Sequence, residues 1–179
     1  MKLFGVQFPH IVSWLVPVTC GLSIAGCVGG PSSRAASRFY ALTRETKASF
    51  GKGDYATARK DAQALQAEMG RFKENWNYGN AVHASNIVLG RLALRDGKVQ
   101  DAKRYLLAAG ATPGSPQLDS FGPNMALAED LLKKGEKDVV LKYFAECTKF
   151  WDREFSEIGK WTADVKAGRS PEFGANLQY

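Results

Sequence analysis

The sequence predicts an all-α fold: a stack of about three helical hairpins closed by a C-terminal capping helix. Three observations predict it. Three stretches resemble one another, "GKGDYATARKDAQALQ" from Gly51, "RDGKVQDAKRYLLAAG" from Arg95 and "KKGEKDVVLKYFAECTKFW" from Lys133. Each holds a glycine, a charged or polar turn, and a small or branched residue five positions on: Gly53 to Ala58, Gly97 to Ala102, Gly135 to Val140. Each follows an apolar pattern at helical spacing, clearest in Val82, Ile87, Leu89, Leu92 and Leu94 before Gly97. The unit is therefore helix, glycine turn, helix, repeated, and such units bury their apolar faces by stacking.

The chain opens on an apolar run. Residues 3–27, "LFGVQFPHIVSWLVPVTCGLSIAGC", carry no charge, and none follows Lys2 until Arg34. Pro9 and Pro17 interrupt it, which a stable spanning helix should avoid. A positive start, an apolar middle and small residues at the end form the pattern of a secretory signal. Its last four residues, Ile24-Ala25-Gly26-Cys27, resemble the bacterial lipobox, in which the cysteine is lipidated and becomes the first residue. Residues 1–26 are then a signal peptide and 27–36 a flexible tether behind Cys27. Each buried acyl methylene contributes about 0.8 kcal/mol, so more than one chain anchors nearly permanently. Val28 in place of an aspartate implies, by resemblance to enterobacterial sorting, the outer membrane rather than the inner.

Behind the tether, residues 37–167 form the helical domain. "SRFYALTRETKASFGK" leads into the first turn, and Asp54 is placed to cap the helix after it. "GRFKENWNYGN" extends the first hairpin and turns at Asn77 to Gly79. Residues 110–124, "GATPGSPQLDSFGPN", carry three prolines and three glycines and read as a loop. "NMALAEDLLKK" supplies the third first helix. After Trp151, Phe155, Ile158, Trp161 and Val165 fall on one helix face, suited to covering the last apolar surface of a solenoid. The tail 168–179 reads as extended, with Phe173, Leu177 and Tyr179 able to fold it back onto the helices.

Over about residues 37–151 the chain resembles the tetratricopeptide repeat family. The joint glycines stand 44 and 38 residues apart, against that family's period of 34. The family's small residue in mid first helix matches Gly90 and Ala128, with Thr46 in the first unit. Its small residue in the second helix matches Ala58 and Ala102, with Val140 in the third. Its large residue four on matches Leu106 and Phe144, where the first unit has Ala62. The family's tryptophan, first-helix tyrosine and closing proline are absent at their places. The resemblance implies a right-handed stack whose concave side is lined by the first helix of each pair. It implies that this side holds an extended peptide, and that the lining is Tyr40, Thr43, Lys47 and Phe50, then Ile87, Arg91 and Leu94, then Met125, Glu129 and Leu132.

Charge adds a second expectation. The formal net charge is +6, yet residues 61–179 carry sixteen basic and sixteen acidic groups. The excess lies in residues 34–60, with seven basic groups against two acidic. Arg34, Arg38, Arg44, Lys47 and Lys52 are thus candidates for contact with anionic lipid or polymer, where a charge near a surface is worth about 1 kcal/mol. No nucleic-acid fold signature accompanies them, and no nucleic-acid partner is expected.

Chemistry has few carriers. No HExxH, GxSxG, CxxC or P-loop occurs. His83 is the sole histidine after Cys27, and Cys147 lies among Tyr143, Phe144, Phe150 and Trp151 on one helix face, where burial makes a thiol inert. No catalytic, cofactor or metal site is expected. The function expected is a lipid-anchored periplasmic adaptor that binds a protein or peptide partner in the cell envelope. The alternatives are a pilotin-like assembly factor for a secretion or pilus complex, and an envelope protein binding anionic lipid or polymer through residues 34–60.

Overall fold

The same glycine-centred joint closes each of three helix pairs. In the computed structural model, which describes residues 31–151 and 157–178, α1 (Ser33–Gly51) turns into α2 (Tyr55–Glu68) at Gly53 and Asp54. The pair α3 (Tyr78–Arg95) and α4 (Val99–Gly110) turns at Gly97 and Lys98. Gly135 and Glu136 sit likewise between α6 (Ala126–Leu132) and α7 (Lys137–Cys147). The glycines have φ of 80°, 75° and 82°, a region glycine enters without steric cost. The N–H of each glycine donates three residues back, to Phe50, Leu94 or Leu132. The N–H of the next residue donates five back, to Ser49, Ala93 or Leu131. This double bond is the Schellman motif, which satisfies the last carbonyls of a helix. Asp54 then caps α2 by accepting from the Thr57 N–H at 3.1 Å.

Small residues set how closely the helices approach. Ala58, Ala102 and Val140, five positions beyond each glycine, are fully buried, as are Thr46 and Ala128. A Cβ on Gly90 would lie 2.2 Å from Leu127 Cδ2, so the approach of α3 to α6 depends on a missing methyl. First helices pack on first helices, α1 on α3 and α3 on α6, while α2 packs on α3 and α4 on both α6 and α7. One large apolar cluster unites the second and third pairs with α8 (Ile158–Lys166) and Phe173. Two smaller clusters hold the first pair to α3. In α8 the expected face is buried through Ile158, Trp161 and Val165, and the helix packs on α7. Among the described residues there is no strand, and no helix is long and apolar enough to cross a membrane.

Four expectations change. Helix α1 begins at Ser33, capped by Ser32, so residues 33–36 belong to the domain rather than to the tether. Gly79 lies inside the first turn of α3, because the reversal before it is made by a 3-10 turn at Met69–Phe72 and by residues 73–77. The loop 110–124 contains a short helix, α5 (Pro116–Phe121), started by Ser115 and by a proline at its first position. The tail is not extended throughout, since Gly174–Leu177 forms a 3-10 turn. The signal segment, Cys27, Phe155 and Tyr179 lie outside the described residues.

Candidate functional site

The residues expected to line a concave groove fall into registers counted back from the joint glycines. Ten positions before each glycine stand Thr43, Ile87 and Met125, and all three are buried. Six before stand Lys47, Arg91 and Glu129, and three before stand Phe50, Leu94 and Leu132. Those six are partly exposed. The registers share one helix face, so helix rotation does not separate them. The difference lies along the helix axes. The inserted segment with α5 and the returning tail roof the N-terminal ends of the first helices. Asn176 O accepts the Met125 N–H at 2.7 Å, and Asn176 Nδ2 donates to the carbonyls of Phe121 and Pro123, each at 3.0 Å. Thr43 Oγ1 accepts from Asn77 Nδ2 at 3.1 Å. Ile87 and Met125 are therefore interior residues and not groove lining, while Thr43, though buried, edges a cavity with Tyr40 and Lys47. The C-terminal half of the groove is open. The other half is narrowed to two separate cavities, one of about 340 Å3 beside Tyr40, Thr43 and Trp76 and one of about 470 Å3 between α5 and the tail.

At the roofed end a chain of side-chain hydrogen bonds ties α1 to α5. Asn75 donates to the Tyr40 hydroxyl at 2.9 Å, Asn80 to Asn77 at 3.0 Å and to Gln117 at 2.8 Å, and Ser115 to Asn80 at 2.6 Å. Tyr40, half-buried, leans on the exposed Trp76 with ring centroids 5.4 Å apart.

The open half is a trough of two adjoining cavities. One, of about 640 Å3, is lined by Arg44, Lys47, Phe50, Tyr55, Arg91 and Leu177 among others. The next, of about 440 Å3, shares Phe50, Tyr55 and Arg91 and adds Leu94, Arg95, Asp130, Lys133 and Lys134. Rings hold the guanidinium groups in place. Arg91 lies 4.8 Å from the Phe50 centroid and Arg95 3.8 Å from that of Tyr55. Arg91 Nε also donates to Asp130 at 2.8 Å. Burial pushes the Lys47 ammonium below its usual range. Glu129 stands beside the trough, bonded to Lys133 at 2.8 Å.

Of the five basic candidates of the first stretch, Arg44 and Lys47 line one cavity. Arg34, Arg38, Arg44 and Lys52 are exposed. Arg38 pairs with Glu68 at 3.1 Å, and Lys47 turns into the trough. Arg44 and Lys47 instead join Arg95, Lys133 and Lys134, which linear charge counting missed because acidic neighbours in sequence cancel them. The signal available was register: Arg95 and Lys133 both stand two positions before a joint glycine.

His83 and Cys147 are interior. The Asn124 N–H donates to His83 Nε2 at 2.9 Å, so Nδ1 carries the proton and donates to Ala109 O at 3.1 Å. Burial first, and the charge of Lys47 after it, hold the imidazole pKa down at about 4, against the pull of the Ala109 bond. Burial pushes the Cys147 thiol up, so it stays protonated. Among the described residues no three His, Cys, Asp or Glu side chains are grouped as a metal site.

These features define an all-helical protein with a cationic trough across the ends of three helices. No family model, curated protein sequence or solved structure matches the chain.

Proposed function

We propose that this chain is a lipid-anchored adaptor that binds a segment of a protein partner at the periplasmic face of a bacterial envelope, without catalytic activity. The observation that carries the reading is the open trough. Lys47, Phe50, Arg91 and Leu94 line it, and Glu129 and Leu132, at the same registers of the third first helix, stay partly exposed beside it. Repetition of that kind suits a chain-like ligand lying across the helices. The packing of first helix on first helix supports a tetratricopeptide-like, right-handed stack of three hairpins. Burial of Cys147, and hydrogen bonds to both ring nitrogens of His83 at the wall of its cavity, support the absence of acid–base or nucleophilic work.

The anchor rests on the sequence, through the run ending at Cys27. Exposed Arg34 and Arg38, at the start of α1, favour a supporting contact with anionic headgroups where the tether meets the domain. Affinity purification from detergent-solubilised envelope, with wild type and Cys27→Ser side by side, tests the whole reading. One stoichiometric protein partner, together with acyl mass on Cys27, is the expected result. Hydrolytic activity in the purified protein, or an unmodified Cys27 in the native product, overturns it.

A further inference from the structure

We infer that the end of the stack where α1 begins is a bilayer-docking face, with Trp76 and Phe121 seated among lipid headgroups and Arg71 and Lys73 on their phosphates. The inference rests on the anchor at Cys27 and adds how the domain stands on the membrane. Among the described residues two large apolar side chains are exposed, Trp76 at 53% and Phe121 at 77%. Both lie at this end of the stack, and the three glycine joints close the other.

Contacts tie the end together. Arg38 pairs with Glu68 at 3.1 Å, and Phe39 stacks on Phe72 with ring centroids 4.2 Å apart, so the 3-10 turn after α2 sits beside the first turns of α1. Trp76 follows that turn and leans on Tyr40. Asn80, in the first turn of α3, donates to Gln117 of α5 at 2.8 Å. Gln117 and Phe121 stand one helical turn apart on one face of α5. Trp76 and Gln117 border one cavity, and Gln117 and Phe121 the next.

Two observations choose a bilayer as the occupant. The first is covalent reach. The described residues begin at Pro31, four positions after Cys27, and four residues span at most about 14 Å. An acylated Cys27 therefore holds the start of α1 that close to the headgroups. The second is charge. Arg34, Arg71 and Lys73 are exposed at this end, against exposed Glu74 and half-buried Asp119. A cavity of about 400 Å3 beside Pro31, Ala36 and Phe72 has Arg71 and Lys73 in its lining. Cations are drawn to an anionic leaflet, and tryptophan settles at headgroup level, where its ring is part apolar and part wet.

Native protein purified from the envelope and reconstituted into phosphatidylglycerol–phosphatidylcholine vesicles with brominated acyl chains tests this, because bromine quenches nearby tryptophan. Trp151 and Trp161 are buried, and the difference between wild type and Trp76→Phe isolates the emission of Trp76. That emission is expected to fall at least twofold in brominated vesicles. Phe121→Trp, placed in the Trp76→Phe chain, should regain the quenching. Arg71→Glu with Lys73→Glu should remove at least half of it. Lys52→Glu with Lys98→Glu, a matched charge change at exposed lysines of the glycine joints, should leave it nearly unchanged. Unquenched Trp76, or equal loss in the two double variants, would overturn the docking face. Acyl mass on Cys27 and flotation with the vesicles read the anchor separately. With both present and Trp76 unquenched, the face falls while the anchor stands; an unmodified Cys27 removes both.

Discussion

Two buried polar residues show how the same burial can be costly or neutral. Thr46 occupies the position where the other hairpins have Gly90 and Ala128, and its hydroxyl is buried without a hydrogen-bond partner. An orphaned polar group of this kind costs about 1 kcal/mol or more. Thr46→Val keeps the branched shape and removes the orphan, so it should raise stability by about 1 kcal/mol, read as a later urea midpoint with an unchanged slope. His83 is buried to the same degree but both ring nitrogens are bonded. Its pKa of about 4 lies below the ordinary 6.5, so the unfolded chain takes up the proton first as pH falls. Its contribution is complete above about pH 6.5 and is lost progressively down to pH 4, by roughly 3 kcal/mol in all. Urea unfolding from pH 7.5 to 4 checks this. A flat profile through that window would mean that the imidazole protonates freely in the folded state.

At the scale of elements, glycines with different duties separate cleanly. Gly97 has φ of 75° and open space where a Cβ would stand. Gly97→Ala should therefore cost only the left-handed backbone penalty, about 1–2 kcal/mol. Gly79 has helical backbone, but a Cβ there would sit 1.7 Å from the carbonyl oxygen of Gly114. Because backbone must move to admit it, Gly79→Ala should cost more, about 3 kcal/mol, and loosen the inserted segment from α3. Chemical denaturation of the two variants in parallel gives the order; the reverse order would refute the contact between α3 and residue 114. The joints themselves were legible in the sequence, because glycine and small residue lie within six positions of one another, with the capping Asp54 between them in the first. Helix α5 was not, since its proline and glycine neighbours are the usual signs of a loop, and its docking depends on Asn80, far away in the chain.

Across the whole molecule, the C-terminal segment decides how much of the groove stays open. Phe173 anchors it, with its ring 5.1 Å from Trp161 and 6.2 Å from Phe144, and Trp161 Nε1 donates to Glu172 O at 2.9 Å. Phe173→Ala should cost about 3–5 kcal/mol, speed hydrogen exchange at the Met125 amide and change Trp fluorescence. An unchanged Met125 exchange rate would mean that the tail does not hold the roof. By itself the sequence determined the helix pairs, their three glycine joints and the capping role of α8, because each is written in contacts a few residues apart. Only the tertiary structure decided that Ile87 and Met125 are interior. It alone gathered Arg44, Lys47, Arg91, Arg95, Lys133 and Lys134 around one trough. Both outcomes depend on which distant segments meet: the tail returns across fifty residues to the start of α6, and three helix ends separated in sequence lie side by side.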